Sequence, residues 1–344
     1  MNRQFRSHTP VPRTIITLLA LLFLLPSAFA ATFIVNDLGD ASDANPGDGV
    51  AATSGGVATL RAAIEEANAL SGEDTITFDT TLFASPQTII VNPRLEISEN
   101  LTITGPGADK ATLDAQSLCQ IMFVGAGITA TITGLSMTNG YASPSNELLG
   151  GAVYIANGGF LDMSDCILTN NEGYYGGGAI CTESGDINLR NCQLLDNFTT
   201  SSLGGRGGGA LGGWGSDSTV SLESCRIENS ICAGNGGGIL VLGNLTMTEC
   251  AIINNQGLYG GGVLVNTGIF YATGCSFSGN SSQYEGGGLK ITNNSTVIDC
   301  TFFGNYAKTN GGGIAVNTDD NTPIINCTII ANQSDSDQDG TGKG

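Results

Sequence analysis

CAIINNQGLYGGGVLV (residues 250–265), CSFSGNSSQYEGGGLKI (275–291) and CTFFGNYAKTNGGGIAV (300–316) are three versions of one phrase. Cys250, Cys275 and Cys300 open them at 25-residue intervals, and Cys166, Cys192, Cys225 and Cys327 open less even versions. A period of roughly 20–50 residues marks stacked units, none of which can bury its apolar face without a neighbour. Two residues after each Cys comes an inward candidate: Leu168, Leu194, Ile227, Ile252, Phe277, Phe302 or Ile329. Five residues after it comes Asn171, Asn197, Asn255, Asn280, Asn305 or Asn332, with Ser230 the exception. An Asn repeated at one corner of stacked coils predicts an amide ladder.

The residue before each Cys is Asp165, Asn191, Ser224, Glu249, Gly274, Asp299 or Asn326. Most of these types tolerate a left-handed backbone, which predicts a corner here rather than a carboxylate active site. Upstream of the corner, Leu161/Met163, Ile187/Leu189, Val220/Leu222, Leu245/Met247 and Phe270/Ala272 alternate with polar residues as a half-buried strand does. The glycine-led strand gives Val153/Ile155, Ala179/Cys181, Ile239/Val241, Val263/Val265, Leu289/Ile291 and Ile314/Val316 as inward pairs. Ile180, Leu211, Leu240 and Leu264 are then outward, ahead of Lys290. That apolar stripe predicts a contact surface for a partner or for a covering loop. Three strands per coil of about 25 residues predict an all-β parallel β-helix over 81–332. An antiparallel sandwich accounts for the alternation but not for the period.

Residues 31–80 read as a cap, because a solenoid leaves its first coil with an open apolar end. A strand at Thr32–Asn36 leads through an acidic loop to Thr59–Leu70, where Leu60, Ala63, Ile64, Ala67 and Leu70 fall at helical spacing behind a Thr59 N-cap. Residues 1–30 carry Arg3, Arg6 and Arg13, an apolar run from Ile15 to Leu25, and Ala28-Phe29-Ala30, the three parts of a cleavable export signal. The mature chain is then expected to be exported, extracellular or at the cell surface, with no transmembrane segment. Of 12 basic and 31 acidic residues, three and none lie in that segment, leaving nine against 31, or −22. Such a surface repels nucleic acid and anionic membrane. The one histidine, His8, also lies there, so no Ser-His-Asp triad or histidine-ligated zinc is available afterwards.

GGGAI, GGGAL, GGGIL and GGGVL, paired with Phe277–Asn280 and Phe302–Asn305, resemble the repeats of polymorphic outer-membrane protein families. The opening FIVNDLGDASDANPGDGV, TLRAAIEEANA and DTITFD resembles the CSLREX-type cap of secreted bacterial β-helix proteins. The resemblance implies a right-handed, single-stranded parallel β-helix, a pectate-lyase-like solenoid, and adhesin- or passenger-like binding. Where the cap family carries a Cys pair, this chain has Ala51 and Ala58. The membrane barrel that ends autotransporters has no counterpart up to Gly344, so surface anchoring does not carry over.

Ten cysteines in an exported chain invite disulfides. Seven occupy equivalent positions about 4.8 Å apart, wider than a disulfide's usual Cβ separation, which predicts a buried thiol ladder. Cys119, Cys181 and Cys232 lie off the ladder as the disulfide candidates. For binding, Tyr174, Tyr175, Tyr259 and Tyr284 precede the glycines and could stack on sugars or pack the loops, and Trp214 sits in an irregular insertion. The partner classes are polysaccharide or a host or cell-surface protein. A polysaccharide lyase or glycoside hydrolase is the alternative, and it would draw on Asp162, Arg190, Arg206, Asp217, Glu223 and Lys290. Asp335, Asp337 and Asp339 match the start of a calcium loop that lacks its twelfth-position acid, and an acidic tail at 333–344 is the other reading.

Overall fold

The computed structural model describes residues 30–144, 149–200, 207–293, 295–316 and 322–335. Residues 1–29, which hold most of the expected export signal, and Arg206, Asp337 and Asp339 lie outside the described residues. Among the described residues no helix is long and apolar enough to cross a membrane.

The strands form four sheets of 11, 10, 9 and 7 strands, here A, B, C and D, and equivalent strands of successive coils pair in parallel. Sheet A holds the strands ahead of each Cys, sheet B those that begin after it, and sheet C those led by glycine. Sheet D is a narrow ribbon of dipeptides from Glu172–Gly173 to Gln333–Ser334. Two residues cannot display a period, so the sequence pattern gives no sign of it. The result is a parallel β-solenoid whose interior is filled by one contiguous apolar core. The inward residues predicted for the first two strands of each coil are in it down to Phe302, with Phe277 and Phe302 stacked at 4.5 Å and 5°.

The predicted corners hold. Asp165, Asn191, Ser224, Glu249, Gly274, Asp299 and Asn326 all take φ between 51° and 64°. So do residues of a second corner one position before the Asn ladder, including Asn170, Asp196, Asn229 and Asn254 at 52° to 55°. The ladder is a chain of amide bonds that all run one way, each Asn donating to the next coil's Oδ1. Asn280 Oδ1 accepts from the backbone N–H and Nδ2 of Asn255 at 2.9 and 3.0 Å, and Asn280 Nδ2 donates to Ile252 O at 2.8 Å and to Asn305 Oδ1 at 3.0 Å. Asn171 and Asn197 repeat the pattern, and Ser230 interrupts it.

Two expectations need correction. Ile180 and Leu211 point into the core, in one row with Val153 and Ile239, and Cys181 points outward. The cause lies in which glycine turns the chain. Gly177 and Gly208, each the middle of three, align with Gly236, the first of three, and all carry positive φ. Matching GGG to GGG therefore shifts those coils by one residue. Second, all ten cysteines are free thiols. Cys181 faces outward on sheet C, Cys232 lies in sheet D and Cys119 lies beside the cap, and none of the three forms a disulfide.

The cap forms as predicted. Helix α1 (Leu60–Ala69) starts at Thr59, whose hydroxyl accepts from Ala62 N at 3.0 Å, and Leu60, Ala63, Ile64 and Ala67 join the core. The strand Thr32–Val35 pairs with Asp74–Phe78 and closes the edge of sheet A. The acidic loop is held by one carboxylate of the helix and one of its own. Glu66, fully buried, accepts from the backbone N–H groups of Gly47 and Gly49, and Asp43 accepts from Asn45 and Ala52.

Replacing Asn280 by Ala removes the side-chain acceptor of Asn255 N, one of the two acceptors of Asn255 Nδ2 and the amide donor to Ile252 O in the interior. Stability should fall by about 2–4 kcal/mol in chemical denaturation, the cost of one buried N–H left unsatisfied and two further hydrogen bonds lost. A loss under about 1 kcal/mol would show that the ladder does not hold the corner.

Candidate functional site: an aromatic face on the third sheet

The outward positions of sheet C form one row along the solenoid. From the cap end it runs Glu96, Phe123, Tyr154, Cys181, Gly212, Leu240, Leu264, Lys290 and Ala315. The loops entering the glycine strands set Tyr175, Tyr259 and Tyr284 beside it. Trp214, one residue past the strand Leu211–Gly213, folds over the middle of the row. Leu149, Cys181, Trp214, Leu240 and Leu264 form an outer apolar cluster, flanked by Tyr154, Tyr175 and Tyr259. The chain's own loops thus cover the centre of the predicted stripe.

Glycine makes this close approach possible. A Cβ on Gly176 would lie 2.3 Å from Trp214 Cζ2, and one on Gly212 would lie 3.2 Å from its Nε1. Toward either end of the row the rings open to solvent. Tyr259 and Tyr284 stack at 4.8 Å and 24°, and Tyr284 is 43% exposed. Tyr174 and Tyr175 meet edge to face at 4.8 Å, and Phe123 and Tyr154 lie 5.6 Å apart.

The charges along the row are paired. Lys290 Nζ is 2.7 Å from Glu285 and 4.0 Å above the Tyr259 ring. Arg94 lies 4.6 Å over Phe123 while bonding Glu96 at 3.2 Å and Gln120 at 2.9 Å. Tyr154 donates its hydroxyl to Glu183 at 3.3 Å. At the cap end the row opens into a cavity of about 500 Å³ between α1 and sheet C, lined by Arg61, Asn68, Arg94, Glu96, Cys119 and Gln120 among others. Burial, then the charge of Asp40, pushes the Cys119 thiol above its ordinary pKa.

The carboxylates and cations proposed for catalysis divide between faces. Asp162, Arg190 and Glu223 come together on the outside of sheet A. Arg190 Nη2 lies 3.0 Å from Asp162, Asn188 donates to that carboxylate at 3.0 Å, and Glu223 is the strand partner of Arg190 one coil on. Asp217 is in an exposed turn bonded to Ser216, and Lys290 is on sheet C. Asp335 is the last described residue, at the edge of the expected calcium loop. Among the described residues, no three His, Cys, Asp or Glu side chains are grouped so as to hold a metal ion. Phe123 and Arg94 belong to the face but were not singled out from sequence, because the early coils repeat too irregularly to align; Tyr154, outward between the aligned Val153 and Ile155, belongs to it as well.

Fold and face together define a capped parallel β-solenoid with an aromatic row along one sheet. No family model and no curated protein matches the chain. Among solved structures it is similar to the pectate lyase Pel9A, at 11% identity and a TM-score of 0.41, over 85% of this chain and 78% of that one.

Substituting Gly176 by Ala should displace the indole of Trp214, the chain's one tryptophan. Its emission should move to longer wavelength, with about 1–3 kcal/mol of lost stability from overpacking. An unchanged spectrum would mean that the ring does not sit on Gly176.

Proposed function

We propose that this is an exported, extracellular or cell-surface β-helix protein that binds polysaccharide along the outer face of sheet C without cleaving it. The observation that carries the reading is the row of partly exposed aromatic rings on that one sheet. Rings such as the Tyr259–Tyr284 stack offer flat apolar faces with polar edges, the combination that suits the C–H faces and hydroxyls of sugars. The amides and carboxylates at the cap end add hydrogen-bonding groups. Because Arg94 and Lys290 are each paired with a carboxylate and the chain carries a net charge of −19, the face favours neutral over acidic polymers. Adhesin-like attachment follows if the polymer belongs to another surface.

Cleavage of an extracellular polysaccharide, by a lyase or a hydrolase, is the second reading. The grouping of Asp162, Arg190 and Glu223 on sheet A favours it. Against it stands the engagement of Arg190: a guanidinium held by Asp162 is not available as a base.

Purified protein titrated with neutral and acidic polysaccharides, with and without calcium, should bind neutral polymers and change Trp214 fluorescence. Tyr284→Ala and Tyr259→Ala should each weaken binding about tenfold, the loss of one aromatic contact worth about 1.4 kcal/mol. Binding to no polymer would refute the reading. Release of new reducing ends would replace it with the enzymatic one.

A further inference from the structure

Lys290 breaks the outward row of sheet C. The two preceding coils carry Leu240 and Leu264 at its position and the next carries Ala315. Lys290 instead brings an amine to a place only 8% exposed, at a desolvation cost that an aliphatic side chain would not incur. Its surroundings are specific. Nζ lies 2.7 Å from Glu285 Oε2, and the other oxygen of the same carboxylate, Oε1, accepts from Asn310 Nδ2 at 3.2 Å. Glu285 and Asn310 are parallel-bridge partners in successive coils. The stacked rings of Tyr259 and Tyr284 flank the group, with the Tyr259 centroid 4.0 Å from Nζ. One carboxylate therefore holds an amine on one oxygen and a primary carboxamide on the other.

We propose that Lys290 and Asn310 form an intramolecular amide cross-link, with Glu285 as the proton carrier. Glu285 takes a proton from Nζ, and the free amine attacks Cγ of Asn310, forming the Nζ–Cγ bond. The tetrahedral intermediate collapses with cleavage of Cγ–Nδ2, while Glu285 passes its proton to the departing nitrogen. The second proton lost from Nζ follows the same route, so ammonium leaves and the carboxylate returns to its starting state. An ammonium and a carboxamide become a secondary amide and an ammonium ion, and no oxidant, reductant or co-reactant is consumed.

The position suits a covalent tie. It joins the coil of Leu289–Ile291 to that of Ile314–Val316, the last described strand of sheet C. Beyond it, Ile324 and Ile329 are 39% and 52% exposed. Each coil is held by its stacking neighbours, and opening of the solenoid separates one coil from the next. A link between consecutive coils restricts that opening through the unfolded chain. The proposal is independent of any glycan ligand.

Intact-mass spectrometry of the folded protein decides it. The expected mass is lower than that of the sequence, less any removed leader, by one ammonia. Proteolysis should yield a branched peptide joining Lys290 to Asn310, with tryptic cleavage after Lys290 blocked. Glu285→Gln, Lys290→Arg and Asn310→Ala, each checked for folding by circular dichroism, should restore the full mass. A full-mass folded wild type would overturn the proposal. So would an ammonia loss confined to a linear peptide at Asn310-Gly311, the mark of a succinimide. The wild-type measurement stands whether or not the variants fold.

Discussion

Stacking coil on coil at one strand spacing, about 4.8 Å, governs this protein. At that distance each residue's nearest neighbours are its counterparts above and below, so every position must suit a copy of itself. Apolar side chains satisfy the rule by piling up, as Phe277 does on Phe302. Amides satisfy it by donating one way and accepting the other, as the Asn ladder does. Charges do not, and Asp74, the charged residue of the inward row of sheet A, stands at the cap end, where it accepts from Ala31 N at 2.7 Å. Backbone crowding is severe where sheets C and D meet: a Cβ on Gly237 would lie 2.1 Å from Gly261 O, and one on Gly287 would lie 2.2 Å from Gly312 O. The abundance of glycine is the steric consequence of stacking.

The same constraint shapes the cysteine ladder. Each thiol is small enough to repeat at the corner and finds carbonyl acceptors there, as Cys225 does with Leu189 O at 3.4 Å and Glu223 O at 3.3 Å. Those acceptors hold the protonated thiol, and the near-zero exposure of Cys166 and Cys192 keeps reagents out. Cys232, outside the ladder, is pushed up to about 11 by burial. Reactivity is therefore not the reason for cysteine here, and small apolar packing is.

What the sequence made legible follows from this. Rows that repeat were readable: the inward Leu, Ile and Phe after each Cys, the left-handed corner before it and the Asn ladder. The N-terminal cap was readable from helical spacing and one Thr. Sheet D was hidden because two residues per coil show no period. The strand register at Ile180 and Leu211 was misjudged because a run of three glycines conceals which one turns the chain, a matter of φ rather than of residue type. For the candidate face, the tyrosines and Trp214 were visible as departures from the repeat. Phe123 and Arg94 were not, since irregular early coils supply no row to depart from, whereas Tyr154 was legible as the outward residue between Val153 and Ile155.

Function in such a molecule has to come from residues that the repeat does not require. The inward rows, the corners and the glycine cradle are committed to stacking, and a change in one disturbs its neighbours on both sides. Only the outward positions and the loops are free to differ between coils. On sheet C they run to apolar and aromatic groups with paired charges, while the outward face of sheet A is mostly Thr, Ser, Asn, Asp and Arg, with Tyr271 among them. Trp214 shows how the freedom is used: its ring occupies space that two glycines leave open, which ties an irregular loop to a regular scaffold. Lys290 shows the opposite case, a polar group placed where the neighbouring coils are aliphatic and met there by a carboxylate, a carboxamide and two rings. Such a residue costs desolvation at a position where Leu stacks well, and its contacts with those polar and aromatic groups, not aliphatic packing, account for its place there.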